Sequence, residues 1–171
     1  MRRSTVVSIV IALTVLTGEA GWAQPTKTAP WLITPGHGIG HINIWMTRDD
    51  VTSALGDPTE ASEYWWIYSR EGLVIKYPID WNSERPLLLL ELDAKRATTS
   101  TARTSSGIGL GSRREAVVLA FGEPEDRYVT TDGGERLSYR TAGIWFYLED
   151  GEVVRLEVMH RDSRKPNGPA A

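Results

Sequence analysis

The chain has three histidines, and two of them stand four residues apart in His37-Gly38-Ile39-Gly40-His41, with His160 far along the sequence. Imidazoles completed by a carboxylate make a zinc site when they converge. The glycine-rich setting gives the first two no helical face to share, so the expectation is a solvated loop and no metal. Gly36 to Gly40 also lacks the Lys and the Ser or Thr that a phosphate-cradling loop needs. Gly107-Ile108-Gly109-Leu110-Gly111-Ser112 opens a helix whose N-terminus suits an anion. Its counterpart Ile42 to Thr47 keeps the strand and the cap without those glycines, which favours a structural role. For nucleophilic catalysis there is no cysteine and no serine in a Gly-x-Ser-x-Gly setting. Asp49-Asp50 reads as a helix start favoured by the macrodipole, and Glu91 with Asp93 as strand-edge solvation, rather than as acid and base. These residue types predict no enzyme, no cofactor and no metal.

The elements that position them are written twice. Ile42 to Pro58 and Ile108 to Pro124 align at an offset of 66, with Arg48 on Arg114, Val51 on Val117, Ala54 on Ala120, and Leu55-Gly56-Asp57-Pro58 on Phe121-Gly122-Glu123-Pro124. Thr47 with Asp50, and Ser112 with Glu115, are capping-box pairs. Gly56 and Pro58 supply a helix stop, so the first helix is expected over Arg48 to Leu55. Strands are expected at Tyr64 to Tyr68, Leu73 to Tyr77 and Leu87 to Leu92. The second copy gives Arg127 to Thr131, Arg136 to Arg140, Gly143 to Glu149 and Glu152 to Met159. The fold class this predicts is α+β, two tandem repeats of a short helix packed on a three- or four-stranded antiparallel sheet. The expected division is a signal peptide over 1–23, an N-terminal arm over 24–40, repeat 1 over 41–93, a linker over 94–106, repeat 2 over 107–160 and a disordered tail over 161–171.

Met1-Arg2-Arg3, the apolar run Val6 to Leu16 and the small residues around Ala23 have the form of a Sec-type signal peptide, with cleavage expected after Ala23. The apolar run is far shorter than the ~20 residues a membrane helix needs, so no membrane span is expected after cleavage. Losing Arg2, Arg3 and Glu19 would move the formal charge from −3 to −4, which argues against nucleic acid. A periplasmic or secreted location follows, in a protein that must be stable without disulfides and has no cysteine for a lipid anchor.

The paired pattern of a Met or Gly before a capping Thr or Ser (Met46-Thr47, Gly111-Ser112), a following Val (Val51, Val117), Leu-Gly-Asp-Pro or Phe-Gly-Glu-Pro, and Gly151-Glu152-Val153-Val154-Arg155-Leu156 resembles the family that contains the β-lactamase inhibitor protein and the outer-membrane assembly lipoprotein BamE. The resemblance covers most of Ile42 to Val158. It implies paired helix-plus-sheet units whose joint surface grips a protein partner. No partner-contacting residue is carried over. The chain departs from the inhibitor in having no disulfides and from the assembly protein in having two copies and no lipid cysteine.

Strand alternation divides the aromatics. Leu73, Ile75, Tyr77, Trp66, Tyr68, Leu137, Tyr139, Ile144, Phe146 and Leu148 are expected inward. The outward set is Trp65, Ile67, Lys76, Arg136, Arg140, Trp145, Tyr147 and Arg155, aromatics mixed with Arg as in protein-binding hot spots. The competing reading is that the arm, the linker or the other repeat covers these rings. The expected function is an exported, non-enzymatic protein-binding module of the bacterial envelope, with an envelope or secreted protein as partner. The alternatives are a small periplasmic hydrolase or a metal- or glycan-binding protein, with peptidoglycan as the local glycan.

Overall fold

The structure is a computed structural model that describes residues 31–77, 88–97, 99–131 and 133–161. The expected signal peptide and the tail from residue 162 onward lie outside the described residues. In chain order the elements are β1 (Leu32–Thr34), β2 (Gly38–Ile39), β3 (Ile42–Asn43), α1 (Arg48–Leu55), β4 (Glu60–Ala61), β5 (Trp65–Tyr68), β6 (Leu73–Lys76), β7 (Leu89–Asp93), β8 (Arg103–Thr104), α2 (Arg114–Phe121), β9 (Asp126–Val129), β10 (Glu135–Tyr139), β11 (Ile144–Glu149) and β12 (Glu152–Val158).

The strands form one eight-stranded antiparallel sheet in the order β4-β5-β6-β7-β12-β11-β10-β9 and one four-stranded sheet in the order β3-β2-β1-β8. This overturns the expected α+β pair of helix-on-sheet repeats: the protein is mostly β. The two halves of the chain do not build separate sheets. Each supplies four strands to one sheet, joined at its centre where Leu90 to Asp93 of β7 face Arg155 to Val158 of β12.

The physical reason lies in what covers the inner face. Each helix has only eight residues, and one of them, Val51 in α1 and Val117 in α2, is fully buried. Two such helices cannot cover eight strands. The small sheet supplies the rest: Ile33, Ile39 and Ile42 share a single core with Leu73, Ile75, Leu90, Leu92, Phe146 and Leu156. Burial of this apolar surface is the main favourable term in folding.

Segments expected to be an arm and a linker are therefore structural from Trp31 onward. β1 pairs in parallel with β8, matching Leu32 to Arg103 and Ile33 to Thr104. The β1–β2 turn is tied to the large sheet by Gly36 N–H donating to the Gly143 carbonyl at 3.1 Å. That approach requires glycine at position 143, where φ is +76° and a Cβ would stand 2.6 Å from Gly36 Cα and 2.6 Å from the Met159 carbonyl oxygen.

The helix signals divide. Thr47 caps α1 by a complete capping box: its Oγ1 accepts from Asp50 N–H at 3.1 Å, and an Asp50 carboxylate oxygen accepts from Thr47 N–H at 2.9 Å. The Thr47 hydrogen bonds hold the Asp50 carboxyl below the usual range. The box expected at Ser112 and Glu115 does not form. Arg114 N–H donates to the Gly151 carbonyl and Arg113 bridges to Glu152, so the β11–β12 turn moves the cap to Arg113. Ser112 Oγ accepts from Gly109 N–H instead. Both helices are fastened to the sheet alike: Tyr68 OH donates to the Gly56 carbonyl at 3.0 Å, and Tyr139 OH to the Gly122 carbonyl at 2.9 Å.

Candidate functional site

The side of the large sheet that faces away from this core carries two rows of side chains set by the ladder register. The first runs Ile67, Val74, Glu91, Glu157, Trp145, Ser138, Asp126. The second runs Asp93, Arg155, Tyr147, Arg136, Tyr128 across five neighbouring strands. A register shift between Tyr147 and Leu148, opposite β12, ends the regular pairing beside the second row.

Two carboxylates stand directly opposite one another in the first row, and each is 5% exposed. Like charges so placed repel. Lys76 relieves this by bridging them, its Nζ donating to Glu91 Oε2 at 2.6 Å and to Glu157 Oε1 at 3.3 Å. Tyr147 OH donates to the other Glu157 oxygen at 2.8 Å. Burial pushes the Glu91 carboxyl above its ordinary range, and the Lys76 bond pulls against it. Burial works against the Lys76 ammonium, but the Glu91 hydrogen bond and the two carboxylate charges outweigh it and raise its pKa. Burial, then the Glu157 charge, push Tyr147 up to about 12. The cluster ties β6, β7, β11 and β12 together beside the second row.

In the second row the guanidiniums lie on aromatic rings. Arg155 Cζ is 3.8 Å from the Tyr147 ring centre, and Arg136 Cζ is 4.8 Å from that of Trp145 and 5.8 Å from that of Tyr128. Cation–π contacts of this kind hold a planar guanidinium while leaving its edge free to donate. A hollow of about 300 Å³ opens along this row, bordered by Lys95, Tyr128, Arg136, Tyr147 and Arg155.

The eight residues expected outward do not form one patch. Arg136, Trp145, Tyr147 and Arg155 come together on β10, β11 and β12. Trp65, 37% exposed, lies opposite Lys76 on the other half of the sheet, four strands or about 19 Å from Tyr147. Lys76 is turned to the two glutamates. Ile67 is buried at 2% exposure. Arg140 sits past the end of β10 with Glu125 at 3.7 Å. Glu91 is not a solvated edge residue: β7 is a central strand, and its carboxylate is part of the buried cluster. Glu157, Tyr128 and Lys95 belong to the site and were not singled out by the sequence reasoning. Glu91 and Glu157 do sit on the outward parity of their strands, but the signal that joins them is the β7–β12 register, which no local pattern carries.

His37 and His160 converge on Trp45, with ring centres 5.4 and 6.2 Å from it, and His41 is exposed. Among the described residues no group of three or more His, Cys, Asp or Glu is placed to hold a metal ion. No helix among them is long and apolar enough to cross a membrane. Comparison of the chain with protein-family models, with curated proteins and with solved structures finds no match in any of the three.

Proposed function

We propose that the chain is an exported, non-enzymatic binding protein of the bacterial envelope that engages a protein partner on the outer face of β9 to β12. The observation that carries this reading is the row Arg155, Tyr147, Arg136, Tyr128, with Trp145 beside it. Tyr, Trp and Arg are the residues that dominate binding energy at protein interfaces. Here they alternate across four adjacent strands, with the guanidiniums already ordered on the rings, so binding immobilises few additional rotamers. The resemblance noted in the sequence implies the same use of a sheet surface.

The test is capture from envelope extract with the mature chain as bait, beside an Arg136→Ala, Arg155→Ala double variant shown to be folded by near-ultraviolet circular dichroism. One protein held by the native bait and lost by the folded variant is the expected result. Equal capture by both baits overturns the assignment of the face.

A further inference from the structure

We infer that the hollow along the second row is a carboxylate subsite, which receives an acidic side chain of the protein partner; the inference rests on the outer-face reading above. Its basis is unspent hydrogen-bonding capacity. A guanidinium has five N–H donors in a fixed fork. The carboxylate nearest Arg136 is Asp126, at 3.6 Å, outside hydrogen-bond distance. The carboxylate nearest Arg155 is Glu91, at 4.0 Å, and that oxygen already accepts from Lys76 at 2.6 Å. The Nε of each arginine is buried without a hydrogen-bond partner. Those buried Nε atoms lie out of a ligand's reach; the Nη groups, on side chains 30% and 38% exposed, carry the donors that a ligand in the hollow can engage.

The charge balance points the same way. The hollow borders on Asp93, Glu135 and Glu149 as well as on Lys95, Arg136 and Arg155. All three carboxylates are already engaged: Glu149 with Lys95 at 2.8 Å, Glu135 with Arg114 at 3.2 Å and with Arg127, and Asp93 with Lys95 N–H at 2.8 Å and with Arg96 at 3.7 Å. The bordering cations that have a carboxylate only beyond hydrogen-bond distance are the two guanidiniums, Arg136 and Arg155. The overall negative charge of the chain disfavours a polyanion, which separates a single carboxylate from nucleic acid or a polyphosphate. The volume of about 300 Å³ leaves room for an acidic side chain. Arg136 and Arg155 flank Tyr147 on successive strands, so a carboxylate lying over the Tyr147 edge is within reach of both forks.

The probe is an acetylated, amidated peptide with a central Glu-Glu pair, compared with its Gln-Gln isostere and with inorganic phosphate. Each is titrated to millimolar concentration against the isotopically labelled mature chain, following the arginine Nε–Hε signals by NMR. The Glu peptide is expected to move the Arg136 and Arg155 signals saturably, the Gln peptide to leave them in place, and phosphate to act more weakly. Arg155→Gln, with a spectrum otherwise unchanged, weakens Glu-peptide binding by about tenfold. Signals that do not move with the Glu peptide, or that move equally with the Gln peptide or with phosphate, overturn the carboxylate subsite. If the double variant nevertheless loses its partner in the capture experiment, the outer face stands and only the acidic ligand is wrong. If capture is unchanged, the face itself fails.

Discussion

Replacing Lys76 by Met tests whether one ammonium holds the centre of the sheet together. Met keeps most of the apolar stem and removes the charge, leaving Glu91 and Glu157 opposed, 6% and 7% exposed at their side chains, with Tyr147 OH on one of them. Stranding a buried charge by removing its partner costs about 3 to 5 kcal/mol. The Lys76 side chain is 41% exposed, so water already shares its charge, and the expected loss near neutral pH is about 2 to 3 kcal/mol. For a domain of this size the midpoint of thermal unfolding falls by roughly 5 to 10 °C. The sign of the pH dependence follows from Glu91. Its pKa is raised above the ordinary 4.5 by burial, and Lys76 is the group that pulls it back. In the variant the pKa rises further, so the folded chain binds a proton that the unfolded chain releases. Stability then falls as pH rises above the ordinary carboxylate value and is regained as pH falls toward it. The assay is urea unfolding of both proteins at about pH 7 and about pH 5, with the difference between them smaller at the lower pH. A companion carrying Lys76→Met with Glu91→Gln and Glu157→Gln recovers most of the loss and its pH dependence disappears. A loss under about 0.5 kcal/mol at neutral pH, or one that does not shrink on acidification, refutes the reasoning.

Two further perturbations follow from contacts elsewhere in the fold. Tyr68→Phe and Tyr139→Phe each remove one hydrogen bond to a helix-ending carbonyl and cost about 1 kcal/mol; on separate helices their effects add in the double variant, as urea midpoints will show. Gly143→Ala drives a Cβ into Gly36 and the Met159 carbonyl and costs more than about 2 kcal/mol, whereas Gly151→Ala, with a φ of +77° but nothing within 4 Å, costs about 1 kcal/mol for the backbone alone. Equal losses at the two glycines, read from thermal unfolding, contradict the packing assigned to Gly143.

What could be read from the chain was local. Thr47, Asp50 and Gly56 bound α1 at the residues expected, because a cap is a bond between near neighbours. The parity of Leu137, Tyr139, Ile144, Phe146 and Leu148 was legible because a two-residue period survives wherever one face is buried. What was not legible depends on partners distant in sequence. Ser112 with Glu115 has the form of a capping box as Thr47 with Asp50 does, yet Gly151 and Glu152 bond to the backbone there. The arm and the linker carry no periodicity of their own, and the linker's β8 becomes a strand against β1 of the arm, some seventy residues away. The fold class failed for a related reason: the sequence shows how long each helix is, but not how wide a sheet it must cover. Glu91 looked like an edge residue because nothing near it announces Glu157.

The antiparallel seam between β7 and β12 also governs how the molecule comes apart. It is the single join between the two sets of four strands in the large sheet, and its partners, such as Leu92 and Leu156, lie far apart along the chain. Contacts of that range are formed late and at a high loop-closure cost. Before they form, β7 presents an open ladder edge flanked by Leu90 and Leu92, the kind of edge that recruits other chains. The strand pairing of β1 with β8 adds a second closure that spans the first half. Neither half is therefore a self-sufficient folding unit, and the network of Lys76 with Glu91 and Glu157 is assembled only when the seam closes.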